Sequence, residues 1–195
     1  MKYNGFYKFD TRFVKSPITV KNDNLTFEQA NMLSRGDYKS FQFPINFNVI
    51  SGKKWLPVLN PPSVGLYILK KDIVENLEAH QIKGFASFEV LIVDQNGEVN
   101  NDYCGFSIIG KSGKIEFTKS QIIEKKTGEG YSKYYRGLFP NMDTWDHSDI
   151  FRPVDSLFVI MSEKAKKIFD KYEKTNLDFV TLNDVELMSI IVDSV

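Results

Sequence analysis

At 195 residues the chain is long enough for one domain with a substantial core, and its 42% hydrophobic and 14% aromatic content, including 16 phenylalanines and 9 tyrosines, excludes a disordered polypeptide. Its 25 basic residues cancel its 25 acidic ones, so no global field draws it to nucleic acid or an anionic membrane, although residues 111–136 are net basic and residues 141–155 and 176–195 net acidic. Lys8, Asp10 and Arg12 interrupt the apolar stretch a signal peptide needs, no segment approaches membrane-spanning length, and the single Cys104 fits a reducing compartment, so the expectation is a soluble cytoplasmic protein.

In chain order, the alternating "KYNGFYKF" predicts a strand. A short helix follows at "TFEQANML", where Thr26 precedes Gln29 at capping-box spacing. In "FQFPINFNVI" the residues Phe41, Phe43, Ile45, Phe47 and Val49 share one strand face, and Pro44 suggests an edge position or a bulge. The stretch Leu66 to Phe88 then aligns without gaps to Leu157 to Phe179. Each copy carries an apolar run, a polar break, a helix of about three turns, a polar turn and an aromatic strand start. In the second copy Ser162 is a natural N-cap, and Ala165, Ile168, Phe169 and Tyr172 fall on one helical face; Val74 and Leu77 take the matching inner positions in the first.

Between the copies, "FEVLIVD", "QNGE", "YCGFSII", "GKSG" and "KIEF" predict an antiparallel meander in which "GKSGK", Gly110 to Lys114, is a hairpin turn. It is similar to a phosphate cradle only superficially, because no helix follows it. The polar, glycine-bearing "EKKTGEGYSKYYRG" predicts an exposed loop. The fold class expected is α+β: a mixed or mostly antiparallel sheet with a few helices, in one domain spanning 1–195 that contains two weakly repeated strand-helix-strand units at about 64–90 and 155–181.

Residues that carry chemistry are sparse. Cys104, His147 and Asp149 are the residue types of a thiol–imidazole–carboxylate site, yet a cysteine within "YCGFSII" more commonly fills a strand as a small hydrophobe. Two histidines and one cysteine give no zinc spacing, while a carboxylate-only calcium or magnesium site stays open. Asp143, Asp146 and Asp149 recur every three residues; buried together they repel, so exposed carboxylates in a polar loop are expected. No cofactor and no resident metal are expected.

Tyr131, Tyr134, Tyr135 and Arg136 are the types that dominate protein–protein hot spots, since rigid aromatic area and a multi-donor guanidinium lose little entropy per contact. Stacking on nucleic-acid bases is the competing functional reading, and tyrosines packed on a strand the structural one.

"WDHSDIFRP", Trp145 to Pro153, leads into "SLFVIMSEKAKKIF" and "NLDF". This stretch resembles the C-terminal signature of a large bacterial family assigned to the immunity proteins of polymorphic toxin systems. Its pattern is a tryptophan, a short spacer often containing glycine, Asp-x-Phe-Arg, a strand, Ser-Glu-(Arg/Lys)-Ala-Lys, and a helix followed by Leu-x-Phe. Trp145, Asp149, Phe151 and Arg152 match the first part, and Ser162, Glu163, Lys164, Ala165, Lys166, Leu177 and Phe179 the second. His147 departs from it by standing where glycine is common, and the family's middle strand is matched only loosely by "YCGFSII".

The resemblance implies a non-catalytic protein that binds a cognate toxin domain, and the cancelled charge and lack of a membrane-length apolar segment add the expectation of no direct nucleic-acid or membrane partner. A motif shared by proteins that face different toxins is expected to serve the fold: Trp145, Ile150 and Phe151 anchor a corner, and Asp149 pairs with Arg152 through a charge-assisted hydrogen bond. Neighbouring loops then carry recognition, through Tyr131, Tyr134, Tyr135 and Arg136 and through Asp143 and Asp146. For a nuclease toxin, the acidic stretches Asp143 to Asp155 and Asp178 to Asp193 are expected to mimic phosphate charge.

Overall fold

The computed structural model describes residues 3–59, 65–128, 130–172 and 176–189. The elements are β1 (Phe6–Thr11), β2 (Thr19–Lys21), α1 (Phe27–Ser34), β3 (Ile45–Ser51), β4 (Val58–Leu59), β5 (Tyr67–Lys70), α2 (Lys71–Ala79), β6 (Phe85–Val93), β7 (Val99–Asn100), β8 (Tyr103–Ile108) and β9 (Gly110–Ser112). They continue as β10 (Gln121–Thr127), β11 (Gly130–Arg136), β12 (Ile150–Pro153), β13 (Val159–Ser162), α3 (Glu163–Phe169), β14 (Leu177–Thr181) and β15 (Glu186–Met188), with single 3-10 turns at Phe117–Lys119 and Asp170–Tyr172.

One sheet orders the strands β2-β3-β6-β8-β5-β4, with β7 also on β6; a second runs β14-β1-β13-β12-β9; a third is β10-β11-β15. Among the described residues the parallel strand pairs are β3 with β6 and β9 with β12, beside an isolated parallel bridge from Pro17 to Lys54. The chain is therefore α+β with mostly antiparallel sheet.

Both repeat units share a topology. In the first, β5 and β6 do not pair with each other but flank β8, antiparallel to both. In the second, β13 and β14 flank β1 in the same way. Each helix thus carries the chain over a strand supplied from elsewhere. Tyr67, Lys71 and Phe85 open the strand, helix and strand of the first unit, and Val159, Glu163 and Leu177 those of the second. All three pairs lie one residue beyond the gap-free sequence alignment, so Ile73 is the structural counterpart of Ala165 and Leu77 of Phe169.

The two helices start differently. Ser162 Oγ accepts from the Ala165 N–H at 3.2 Å, whereas the first unit has Lys70 at the same place and no side-chain cap. Both helices bury one face in the same cluster: Ile73, Val74 and Leu77 from α2 meet Ala165, Ile168 and Phe169 from α3, with Leu69, Phe106, Val159 and Met161 beneath. Burial of a side chain such as Leu77 or Phe169 contributes about 1.5–3 kcal/mol. Tyr172 adds a polar tie by donating its hydroxyl to Asp72 Oδ2 at 2.8 Å.

On the opposite face of the first sheet, α1 closes a second cluster with Leu33, Phe47, Ile68 and Ile92. Its capping box is complete: the Gln29 N–H donates to Thr26 Oγ1 at 3.2 Å, and the Thr26 N–H to Gln29 Oε1 at 3.0 Å. Strand β8 is buried along its whole length because α2 covers one face and α1 the other.

Several expected elements differ. "KYNGFYKF" becomes a strand only from Phe6, after a turn in which Gly5 sits at φ +81°. The strand expected at Phe41 begins at Ile45, after the cis Phe43–Pro44 bond, and β3 lies between β2 and β6 and not at an edge. "GKSG" is no hairpin turn: Gly110 to Ser112 crosses to the second sheet and pairs in parallel with β12. "KIEF" contributes one bridge, Ile115 to Pro140, and a 3-10 turn. "EKKTGEGYSKYYRG" is a long hairpin, β10 and β11, and not a loop; its Glu129 lies outside the described residues.

Candidate functional site

Two sequence-marked regions emerge with different characters. The first is the corner from Trp145 to Arg152, which connects the two repeat units. Asp149 Oδ2 accepts from the Lys83 N–H at 3.1 Å, in the loop that closes the first unit's helix. Its Oδ1 accepts from Ser162 Oγ at 2.8 Å, and its carbonyl from the Ser162 N–H at 2.7 Å. Ser162 therefore caps α3 and grips the corner at once, while Lys164 Nζ stands 4.0 Å from the same carboxylate.

Asp146 is exposed but occupied: Oδ2 accepts from the Lys111 N–H at 2.9 Å and Oδ1 from the Ser148 N–H at 3.1 Å. The Trp145 indole N–H donates to the Ser148 carbonyl at 3.1 Å, and its ring meets Phe6 edge-on at 5.4 Å and Phe151 at 5.8 Å. Ile150 and Phe151 are fully buried and point to different clusters, as neighbours on a strand must. His147 lies on Trp145, 4.8 Å between ring centroids, and adopts φ +62°. This left-handed backbone is why glycine suits the position.

The close approach is made possible by two glycines elsewhere. A Cβ on Gly84 or Gly110 would fall 1.9 Å or 2.2 Å from the Ile150 carbonyl oxygen.

The expected Asp149–Arg152 pair does not form. Three residues apart on extended chain, the two side chains leave opposite faces. Arg152, 6% exposed, donates instead to Ser34 Oγ at 3.4 Å and to the Gly65 carbonyl at 3.2 Å, so it joins the second sheet to the end of α1 and the approach to β5.

The second region is the hairpin β10–β11, held at its base where β15 pairs with β11. The register sets Ile122 opposite Tyr135, Glu124 opposite Lys133 and Lys126 opposite Tyr131, so these residues share a face. Tyr135 rests on Phe117 at 5.7 Å, while Ile122 is 62% and Tyr131 74% exposed. On the other face Arg136 forks onto Glu186 Oε1 at 3.1 and 2.8 Å, Lys125 also bonds Glu186, and the Lys125 ammonium lies 5.6 Å from the Tyr134 ring. Hydrogen bonds from Lys125 and Arg136 hold the Glu186 carboxyl below its ordinary range.

The four expected contact residues thus share a hairpin but split between its faces: Tyr134 and Arg136 lie on the face tied to Glu186, and of Tyr131 and Tyr135 on the other face only Tyr131 is presented, because Tyr135 packs on Phe117. Asp143 and Asp146 sit on a separate loop, where the Asp143 N–H donates to Asn141 Oδ1 at 2.8 Å. Ile122 carries no mark in the sequence, because Glu124 and Lys126 on its own face of the hairpin are polar and leave no polar–apolar alternation to single it out.

The thiol and imidazole do not meet. Cys104 is 7% exposed among the core of α2, its Sγ 3.8 Å from the Leu69 carbonyl, and burial pushes its pKa up to about 11, which leaves it a thiol at neutral pH. His147 stacks on Trp145 in another part of the fold. Among the described residues no group of histidine, cysteine and carboxylate side chains is arranged to hold a metal, and no helix is long and apolar enough to cross a membrane.

Compared with known proteins, the chain matches no protein-family model and no curated sequence.

Proposed function

We propose that the protein is an immunity protein that binds a cognate toxin domain and inhibits it stoichiometrically, with the β10–β11 hairpin as its principal contact element. The observation that carries this reading is the outward pair Ile122 and Tyr131, large apolar side chains 62% and 74% exposed on one face of a projecting hairpin. Exposed apolar area of this kind, the rigid ring of Tyr131 above all, gains most when a partner removes it from water. On the same face Glu124 and Lys133 lie between the two and Lys126 sits opposite Tyr131, supplying charges of both signs for partner discrimination.

The resemblance of residues 145–179 to immunity proteins supports the class of partner. Support for inhibition without chemistry comes from the protonated, buried thiol of Cys104 and its separation from His147. The acidic stretches contribute little to this reading, because their carboxylates are engaged within the protein. Asp146 and Asp149 bind backbone N–H groups, Asp155 pairs with Lys114 at 2.6 Å and Asp178 with Arg12 at 2.7 Å. Asp193 lies outside the described residues.

The test is co-expression with the toxin domain encoded beside this chain, scoring cell survival and recovery of a complex. The expected result is protection with a tight complex, retained in Cys104→Ala and His147→Ala. Combining Tyr131→Ala with Ile122→Ser should weaken the complex on the order of 100-fold, as loss of two hot-spot contacts does. Wild-type affinity in that double variant would move the interface off the hairpin; absence of both complex and protection would remove the immunity reading.

A further inference from the structure

The chain has four arginines, and they fall into two kinds. Arg12 and Arg136 each fork onto a surface carboxylate, Asp178 and Glu186. Arg35 and Arg152 have no carboxylate partner among the described residues, yet both line one cavity of about 200 Å³.

Arg152 is the unusual member. It is 6% exposed, its two hydrogen bonds go to neutral oxygens, and its Nε–H, fully buried, has no partner among the described residues. A buried guanidinium without a counter-charge is under-compensated, and the tie it makes between Ser34 and Gly65 would be made more cheaply by a neutral side chain. Burial lowers its pKa, Arg35 adds to that by repulsion, and Tyr67 opposes both.

A third cation is set beside it by the sheet. The parallel register places Lys111 opposite Arg152, so both side chains leave the same face one strand apart. The Lys111 side chain has no ion pair among the described residues, whereas its backbone N–H is held by Asp146. Asp155 also lines the cavity, but it is engaged by Lys114 at 2.6 Å. The net charge facing the cavity is therefore positive, and the Ser156 hydroxyl, which accepts from the Phe158 N–H at 2.9 Å, keeps its own proton to donate.

We propose that this cavity is a binding site for a small oxyanion, phosphate or a short carboxylate, clamped between Arg152 and Arg35 with Lys111 completing the charge. Guanidinium forks match planar and tetrahedral oxyanions with paired N–H donors, which an ammonium alone does not. The volume is below the 300 Å³ or so at which sites for drug-sized ligands begin, which limits the ligand to a few heavy atoms and excludes a nucleotide. This site is distinct from the hairpin and does not rest on the toxin-binding reading.

Isothermal titration of the full chain with inorganic phosphate, malonate and chloride at constant ionic strength tests it. Saturable one-to-one binding of phosphate or malonate, and none of chloride, is expected; the tighter of the two identifies the oxyanion class. Arg35→Gln and Lys111→Gln change exposed side chains and keep the fold, so they test the site without the risk attached to removing buried Arg152. Arg35→Gln should weaken binding about tenfold or more, the loss of a charged hydrogen-bond partner, and the double variant should abolish it. Tyr131→Ala should leave the titration unchanged. No saturable binding to the wild type, or unchanged binding in the double variant, would overturn the proposal.

Discussion

The Trp145–Arg152 corner and the β10–β11 hairpin look alike as text, each a short run rich in aromatic and charged residues, and they are used in opposite ways. In the corner the carboxylates of Asp146 and Asp149 each receive two hydrogen bonds, Asp149 from Lys83 and Ser162 and Asp146 from Lys111 and from Ser148 within the corner, and the aromatic rings lie against one another. In the hairpin one face is tied down through Glu186, and the other leaves Ile122 and Tyr131 in water. Composition alone does not separate a region that holds the fold from one that is offered outward. What separates them is whether each polar group's partner is internal.

Substitutions sharpen that contrast. Phe151→Ala, at 0% exposure, should cost about 3–5 kcal/mol in urea unfolding, because the cavity it leaves is walled by Phe6 and Trp145. Asp149→Ala strands the Lys83 N–H and the Ser162 hydroxyl, and should cost about 2–3 kcal/mol. A loss no larger than that of a surface aspartate would mean the corner is not the junction of the two units.

His147→Val should cost about 1–2 kcal/mol, since a β-branched residue tolerates φ +62° poorly, whereas His147→Gly should be close to neutral. Tyr131→Ala should shift stability by no more than about 0.5 kcal/mol, the ordinary surface value; a larger loss would show the hairpin to be structural.

A pH series separates the buried core from both regions. The folded Cys104 thiol titrates at about 11 against an ordinary 9, so its contribution is complete below pH 9 and is lost as pH rises from 9 to 11. The urea midpoint should fall across that window, and Cys104→Ala should remove this part of the fall.

How much was legible in advance followed the range of the interactions. The capping box from Thr26 to Gln29 and the N-cap at Ser162 are local and were readable directly. The two strand-helix-strand units were readable as patterns, but their shift by one residue was not, because the N-cap at Lys70 has no side-chain signature to align with Ser162. The hairpin was hidden because neither of its faces packs fully on a core, so no polar–apolar alternation marks it. The strand Gly110 to Ser112 was hidden because its partner lies at Phe151 to Pro153, and a distant parallel pairing leaves no local trace. At the candidate site, the aromatic hot-spot types were visible in sequence; which of them face outward depended on the register of Ile122 with Tyr135.

The strand placed between β13 and β14 has a consequence for synthesis. In the first unit the central strand β8 follows soon after β6, so the unit is complete shortly after it is made. In the second, the central strand is β1, translated long before its neighbours. At about 5–20 residues per second, the nascent chain carries Phe9 without its mates Phe169 and Phe179 for on the order of ten seconds. During that interval β1 waits as an unpaired strand, the period in which a chaperone holding it would raise the yield of folded protein.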